Sequence, residues 1–152
     1  MKVRGFESVS DKHRKHDNLL VLPLRADAKS AGYDFITPTA FTLHPGEKHV
    51  VWTDVKAYMQ DNEVLQLFVR SSVGIKRNVV LANGTGIIDA SYYNNPDNDG
   101  NIGICLINMS DQIQRFDSGE RIAQGIFTTY LAADNDYVLH SERKGGFGSS
   151  GK

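Results

Sequence analysis

Val79-Val80-Leu81-Ala82-Asn83-Gly84-Thr85-Gly86-Ile87-Ile88-Asp89-Ala90-Ser91-Tyr92-Tyr93-Asn94-Asn95-Pro96, running on through Asp97-Asn98-Asp99-Gly100-Asn101 into Ile102-Gly103-Ile104-Cys105-Leu106-Ile107-Asn108, decides the fold class. Three short runs rich in Val and Ile, at 79–81, 86–88 and 102–108, are separated by an Asn-Gly turn and an Asn-Asn-Pro turn. β-branched side chains suit a pleated surface, while Gly, Asn and Pro supply the backbone angles that reverse it. The same pattern extends in both directions. Extended segments are predicted at 19–24, 33–36, 40–43, 49–52, 55–59, 65–69, 112–116, 122–127 and 137–140, with Pro-Gly, Ser-Gly and Asp-Asn turns among them. Such close spacing of short strands predicts an all-β fold, a jelly-roll-like distorted β-barrel with very little helix. One helical turn is expected after Arg70, with Ser71 or Ser72 as N-cap and Ile75 and Lys76 at its end.

With 152 residues the chain suits one domain, and 17 Lys and Arg against 18 Asp and Glu leave no cationic field to draw it onto nucleic acid or a membrane. No apolar run is long enough for a membrane span or a signal segment, so a cytoplasmic location is expected. The sole cysteine, Cys105, sits in an apolar run and reads as a reduced core thiol. The charged opening 11–17, with His13 and His16 three apart, reads as a solvated surface.

Several segments carry groups suited to chemistry. Asp89 ends an apolar strand beside Tyr92 and Tyr93, at the rim of a core; it either polarises a water there or merely opens the following turn. Asn95, Asp97, Asp99 and Gly100 match the start of a calcium loop, but Leu106 stands where the bidentate Glu is needed, so 93–101 reads as an enlarged hairpin connection. Arg70-Ser71-Ser72 joins a cation to two hydroxyls at a helical turn, which suits an anion or a simple cap. Gln124, on the alternating strand after Gly119-Glu120-Arg121, either donates to a phosphate or satisfies a neighbour. The tail Arg143-Lys144-Gly145-Gly146-Phe147-Gly148-Ser149-Ser150-Gly151-Lys152 combines glycines, hydroxyls and cations with one aromatic ring. It cannot build a core, and its composition suits a flexible lid over an anionic, planar ligand. Gly146 to Lys152 also spells G-x-x-x-x-G-K, but a P-loop needs a preceding strand, a following hydroxyl and a helix, and that reading is rejected. The expected division is therefore a barrel over 1–140 and a glycine-rich lid over 141–152.

In order, these segments resemble the five motifs of the trimeric dUTPase family: Ser30-Ala31-Gly32-Tyr33-Asp34-Phe35, Arg70-Ser71-Ser72, Gly86-Ile87-Ile88-Asp89-Ala90-Ser91-Tyr92, Gly119-Glu120-Arg121-Ile122-Ala123-Gln124 and Gly145-Gly146-Phe147-Gly148-Ser149-Ser150-Gly151. The resemblance implies hydrolysis of dUTP to dUMP and pyrophosphate, which keeps uracil out of DNA and supplies dUMP for dTMP synthesis, in a homotrimer whose active sites are shared between subunits. It assigns Asp89 to activation of the attacking water. Tyr92 would exclude a 2′-hydroxyl, and Asn83, Gly84 and Ile88 with their neighbours would read the uracil edge under Phe147. Arg70, Ser71, Ser72, Gln124, Arg143, Ser149 and Ser150 would hold the triphosphate, with Mg2+ carried by phosphates and water, and Asp34 would orient Arg70. A dCTP deaminase of the same fold and a catalytically silent dUTP-binding regulatory module are the alternatives, and the reading leaves room for a regulatory protein partner. Three departures stand out: Ser91 where the family is often acidic, the long stretch 93–101 after Tyr92, and Arg143 one residue closer to Phe147 than usual.

Overall fold

Along Gly103–Asn108 the side chains of Ile104, Leu106 and Asn108 are buried while those between them are only partly covered, the period-two signature of a strand with one face on the core. The computed structural model describes residues 1–140 and 143. Its strands are β1 (Gly5–Ser8), β2 (Leu24–Arg25), β3 (Tyr33–Ile36), β4 (Phe41–Leu43), β5 (Lys48–Trp52), β6 (Val55–Tyr58), β7 (Glu63–Val69), β8 (Val79–Leu81), β9 (Gly86–Asp89), β10 (Gly103–Asn108), β11 (Gln114–Phe116) and β12 (Arg121–Thr129). A single helical turn, α1 (Ser71–Gly74), interrupts them, along with 3-10 turns at Asp11–His13 and Ala90–Tyr92.

The strands form four antiparallel ladders, β1-β6, β5-β10-β8, β11-β4 and β2-β3-β12-β7-β9. They share one core that includes Phe35 of β3, Leu43 of β4, Leu65 and Leu67 of β7, Leu106 of β10, Phe116 of β11 and Ile122 of β12. The fold is all-β as expected, and the wall around this core is several ladders rather than one hydrogen-bonded ring. Core packing is close enough that glycine is required at a contact point: a Cβ on Gly125 would lie 2.9 Å from a Leu65 methyl.

Three expectations are corrected. The predicted strand over 19–24 shrinks to Leu24–Arg25. Pro23 has no N–H to give a ladder, and Leu19, Val21 and Leu22 are exposed and join no ladder among the described residues. The apolar run 137–140 is not a strand, and Tyr137, Val138 and Leu139 are exposed. At α1 the N-cap is Arg70, and no side chain caps the turn, so Ser71 and Ser72 are its first helical residues. Strand β1 has no counterpart in the sequence reading; it forms because β6 lies alongside, with Gly5 opposite Tyr58 and Ser8 opposite Val55.

The chain ahead of β2 is fastened at one buried carboxylate. Asp54, 1 % exposed and at φ 61 in the turn between β5 and β6, accepts hydrogen bonds from the N–H groups of Lys15 (2.8 Å) and His16 (3.0 Å) and from Asn101 Nδ2 (2.9 Å). In return Asn101 Oδ1 accepts from the N–H of Asp54 at 2.9 Å. Removing the carboxylate leaves the buried Asn101 amide and the part-buried N–H groups of Lys15 and His16 without their acceptor, each at a cost of about 1–3 kcal/mol if left unmade. Asp54→Ala should therefore lower the midpoint of thermal unfolding more than any surface substitution, by an amount equivalent to at least about 3 kcal/mol.

Candidate active site

Strand β9 is the outer strand of its sheet, hydrogen-bonded to β7 alone. It lies tightly against its neighbour because Gly86 has no side chain; a Cβ there would meet Leu67 Cβ at 2.9 Å. The turn feeding β9 is closed by N–H donation from Gly84 to the Leu81 carbonyl and from Thr85 to the Asn83 carbonyl, both 2.9 Å. Gly84 sits at φ +77, a conformation glycine adopts without strain. Between β9 and β10 opens a cavity of ≈ 190 Å³, lined by Asn83, Gly86, Ile88, Asp89, Tyr92 and Arg143 among others. Asp89 is the last residue of β9, and its side chain is half exposed at the rim. The Arg143 guanidinium lies 3.5 Å from Asp89 Oδ2 and 3.4 Å from Ser91 Oγ, and 5.1 Å from the centre of the Tyr92 ring. Burial pushes the Tyr92 phenol up, against smaller opposing effects of Asn98 and Arg143.

Cys105 also lines this cavity and is only partly buried, which corrects its expected place in the core. The alternation of β10 gives the core to Ile104 and Leu106, so residue 105 faces the opposite way.

A second cluster gathers around Asp34. Its Oδ1 lies 3.4 Å from Arg70 Nε, the expected ion pair, and its Oδ2 lies 3.3 Å from Arg121 Nη1, a partner the sequence reading did not name. Register places Gln124 opposite Asp34 on one side and Phe68 on the other. Gly32 leaves room for the Gln124 side chain: a Cβ at residue 32 would fall 2.4 Å from Gln124 Oε1. Arg70 Nη1 reaches Ser72 Oγ at 3.5 Å. The N–H groups of Val73 and Gly74 close onto the Arg70 carbonyl at 2.9 Å, whereas those of Ser71 and Ser72, first in the turn, have no acceptor within it.

The structure does not bring the two clusters together. Asp89 is paired with Val64 near the start of β7, while Arg70 follows the end of that strand at Val69. Six residues of extended chain at about 3.3 Å each put Arg70 roughly 20 Å from Asp89 along the strand. Of the sequence-predicted residues, Asn83, Ile88, Asp89, Tyr92 and Arg143 share the cavity, with Gly84 in its turn, and Asp34, Arg70, Ser72 and Gln124 share the far end of the sheet beside Ser71. Phe147, Ser149 and Ser150, and the expected lid over 141–152 apart from Arg143, lie outside the described residues.

Comparison with known proteins shows what the chain is similar to. A family model described as dUTPase matches residues 20–151. The deoxyuridine 5'-triphosphate nucleotidohydrolase of Lactococcus lactis subsp. lactis is 43% identical over 153 residues, spanning 99% of each chain. Among solved structures, the dUTPase from Streptococcus mutans is 45% identical with a TM-score of 0.75, covering 86% of this chain and 98% of its own. A mutant of the Staphylococcus bacteriophage 80alpha dUTPase with dUpNHpp is 27% identical with a TM-score of 0.70, and covers 99% of both chains.

Proposed function

The chain belongs to the dUTPase family, and we propose that it hydrolyses dUTP to dUMP and pyrophosphate, with Asp89 as the general base. The observation that carries the assignment is the convergence of Asp89, Tyr92 and the outer edge of β9 on one cavity. Because β9 is paired on one side only among the described residues, N–H and C=O groups on its other edge are available to a planar hydrogen-bonding ligand such as uracil. Tyr92 gives the cavity a buried aromatic wall against which a deoxyribose fits and a 2′-hydroxyl clashes. In the reaction a water oxygen bonds to the α-phosphorus as the bond to the bridging oxygen of the β-phosphate breaks; the water proton passes to the Asp89 carboxylate and pyrophosphate leaves. A base in this role needs hydrogen-bond reach, about 3 Å per link, directly or through one water.

The distance between the two clusters supports a shared site. A triphosphate whose α-phosphorus sits within reach of Asp89 cannot also touch Ser71 and Ser72 of the same chain, which follow Arg70 at roughly 20 Å. A second protomer in a closed ring brings that cluster alongside, and the homotrimer supplies such neighbours. There Arg70, Ser71, Ser72 and Gln124 hold the phosphates, with Asp34 fixing Arg70. Arg143, now against Asp89, pairs with the terminal phosphate in the loaded site, and residues 141–152 act as the lid, with Phe147 over uracil and Ser149 and Ser150 on phosphate.

Among the described residues no group of three or more His, Cys, Asp or Glu converges as a metal site. Mg2+ is read as a companion of the substrate, held by phosphate and water oxygens, where it would supply charge neutralisation. No described helix is long and apolar enough to cross a membrane; a cytoplasmic location remains part of the reading. The test is pyrophosphate release from dUTP, dTTP, dCTP and UTP measured side by side. Turnover confined to dUTP is expected, and ammonia from dCTP, or no product from any of them, would overturn the assignment.

A further inference from the structure

Residues 93–101, the long stretch after Tyr92, are built around three asparagine side chains. Asn95 is 4 % exposed. Its Oδ1 accepts from the N–H groups of Asp97 (3.0 Å) and Asn98 (3.2 Å), and its Nδ2 donates to the Tyr92 carbonyl (3.2 Å) and to Asn98 Oδ1 (2.7 Å). Asn98 Oδ1 also accepts from the N–H of Gly100 at 3.0 Å. With two donors aimed at its oxygen, the Asn98 amide has one orientation, which leaves Nδ2 to donate to the Tyr92 hydroxyl at 2.9 Å. That hydroxyl then donates to the Asn101 carbonyl at 2.6 Å. Both ends of Tyr92, its carbonyl and its phenol, are therefore gripped by the same loop.

The loop is anchored in turn. Lys56 Nζ sits between Asn94 Oδ1 (2.5 Å) and Asp99 Oδ2 (3.0 Å), and Asp99 also accepts from the N–H of Ser10 at 2.8 Å. An ammonium thus stands on Asp99, one of the residues that gave the segment its calcium-loop appearance. Burial pushes the Asp99 carboxyl up, but the Ser10 N–H and Lys56 outweigh it and hold it below the usual carboxylate range. Gly100, at φ +85, brings the returning chain so close that a Cβ would lie 2.9 Å from the Tyr92 carbonyl oxygen. Asn101 is fully buried and tied to Asp54.

We propose that Asn98 is a positioning residue that fixes the Tyr92 ring as the wall of the sugar pocket, so that the enlarged hairpin sets discrimination between deoxyribo- and ribonucleotides. The proposal rests on the assignment of Tyr92 to the deoxyribose. The phenol's donor and acceptor are both engaged inside the protein, so Tyr92 meets the ligand with its ring and excludes by position. A ring held at its hydroxyl cannot tilt to admit a 2′-oxygen; a ring released from Asn98 can.

Asn98→Asp is the informative variant, since the remaining oxygens still accept from Gly100 and Asn95 while the donor to Tyr92 is gone. The readout is the ratio of kcat/KM for dUTP to that for UTP, which a general loss of stability leaves unchanged. Loss of one buried hydrogen bond should lower this ratio about five- to tenfold in Asn98→Asp. In a Tyr92→Phe background, where the phenol is already absent, the same substitution should change it by less than about twofold. A ratio in Asn98→Asp within about twofold of the wild type, or an equal effect in both backgrounds, overturns the proposal. Tyr92→Ala separates the underlying assignment: if that variant keeps the wild-type ratio, Tyr92 is not the sugar wall, whereas a fall in Tyr92→Ala with none in Asn98→Asp rejects the role of Asn98 alone.

Discussion

Asp89→Asn should bind dUTP nearly as tightly as the wild type while turnover falls by about 10²- to 10⁴-fold, the range supplied by a positioned general base. The amide keeps the shape and the hydrogen-bonding oxygen of the carboxylate and loses only its ability to take a proton from water. The side chain ends an edge strand and is half exposed, so its replacement leaves the β7–β9 ladder intact. Its near neighbour Arg143, 3.5 Å away, loses an anionic partner and remains beside Ser91 Oγ and the Tyr92 ring. A residue whose loss raises the barrier without weakening ground-state binding acts in the transition state. Equilibrium binding of dUTP in the variant, with single-turnover pyrophosphate release, measures the two quantities separately. Unaltered turnover removes Asp89 from the mechanism, and a loss of binding in step with turnover makes it a substrate anchor instead.

The sequence carries those parts of the fold that local chemistry fixes. Val79–Leu81 and Tyr33–Ile36 form strands with the bounds their β-branched and aromatic residues suggest, and Asn83-Gly84 turns the chain where a positive φ is needed. The motif order places Asp89 at the end of a strand and Ser71 at the start of a helical turn, as found. What depends on distant partners is not legible. Gly5–Ser8 has weak strand character and becomes β1 only against β6, whereas 19–22 and 137–140 have strand character and join no ladder among the described residues. Cys105 and Ile104 look alike in an apolar run, and only the pairing of β10 with β5 and β8 decides which of them faces the core. The second guanidinium on Asp34, from Arg121, follows from the register of β3 against β12, which no local pattern announces. The grip of the 93–101 loop on Tyr92 is likewise invisible in composition, because asparagine-rich turns look the same whether their amides face solvent or one another.

The separation of the two clusters leads to the largest effect of all, recovery of activity from two inactive chains. Ser71→Glu places a carboxylate at an exposed position in the phosphate cluster, where it repels a triphosphate without disturbing the core. Asp89→Asn disables the other end of β7. Each variant alone, in the homotrimer proposed above, should show under about 1% of wild-type turnover. When the two are co-expressed and the mixed trimers purified through distinct tags, some sites receive Asp89 from a Ser71→Glu chain and Ser71 from an Asp89→Asn chain. In a ring of three that contains both chains, one site in three is of this kind, so activity should climb to about a third of the wild type. Nothing in the chemistry of either variant can produce this gain within one subunit, since both carry a disabling change. A site lying wholly inside one chain predicts no recovery at any mixing ratio, and that result would also require a path shorter than the roughly 20 Å that the β7 register sets between Asp89 and Arg70.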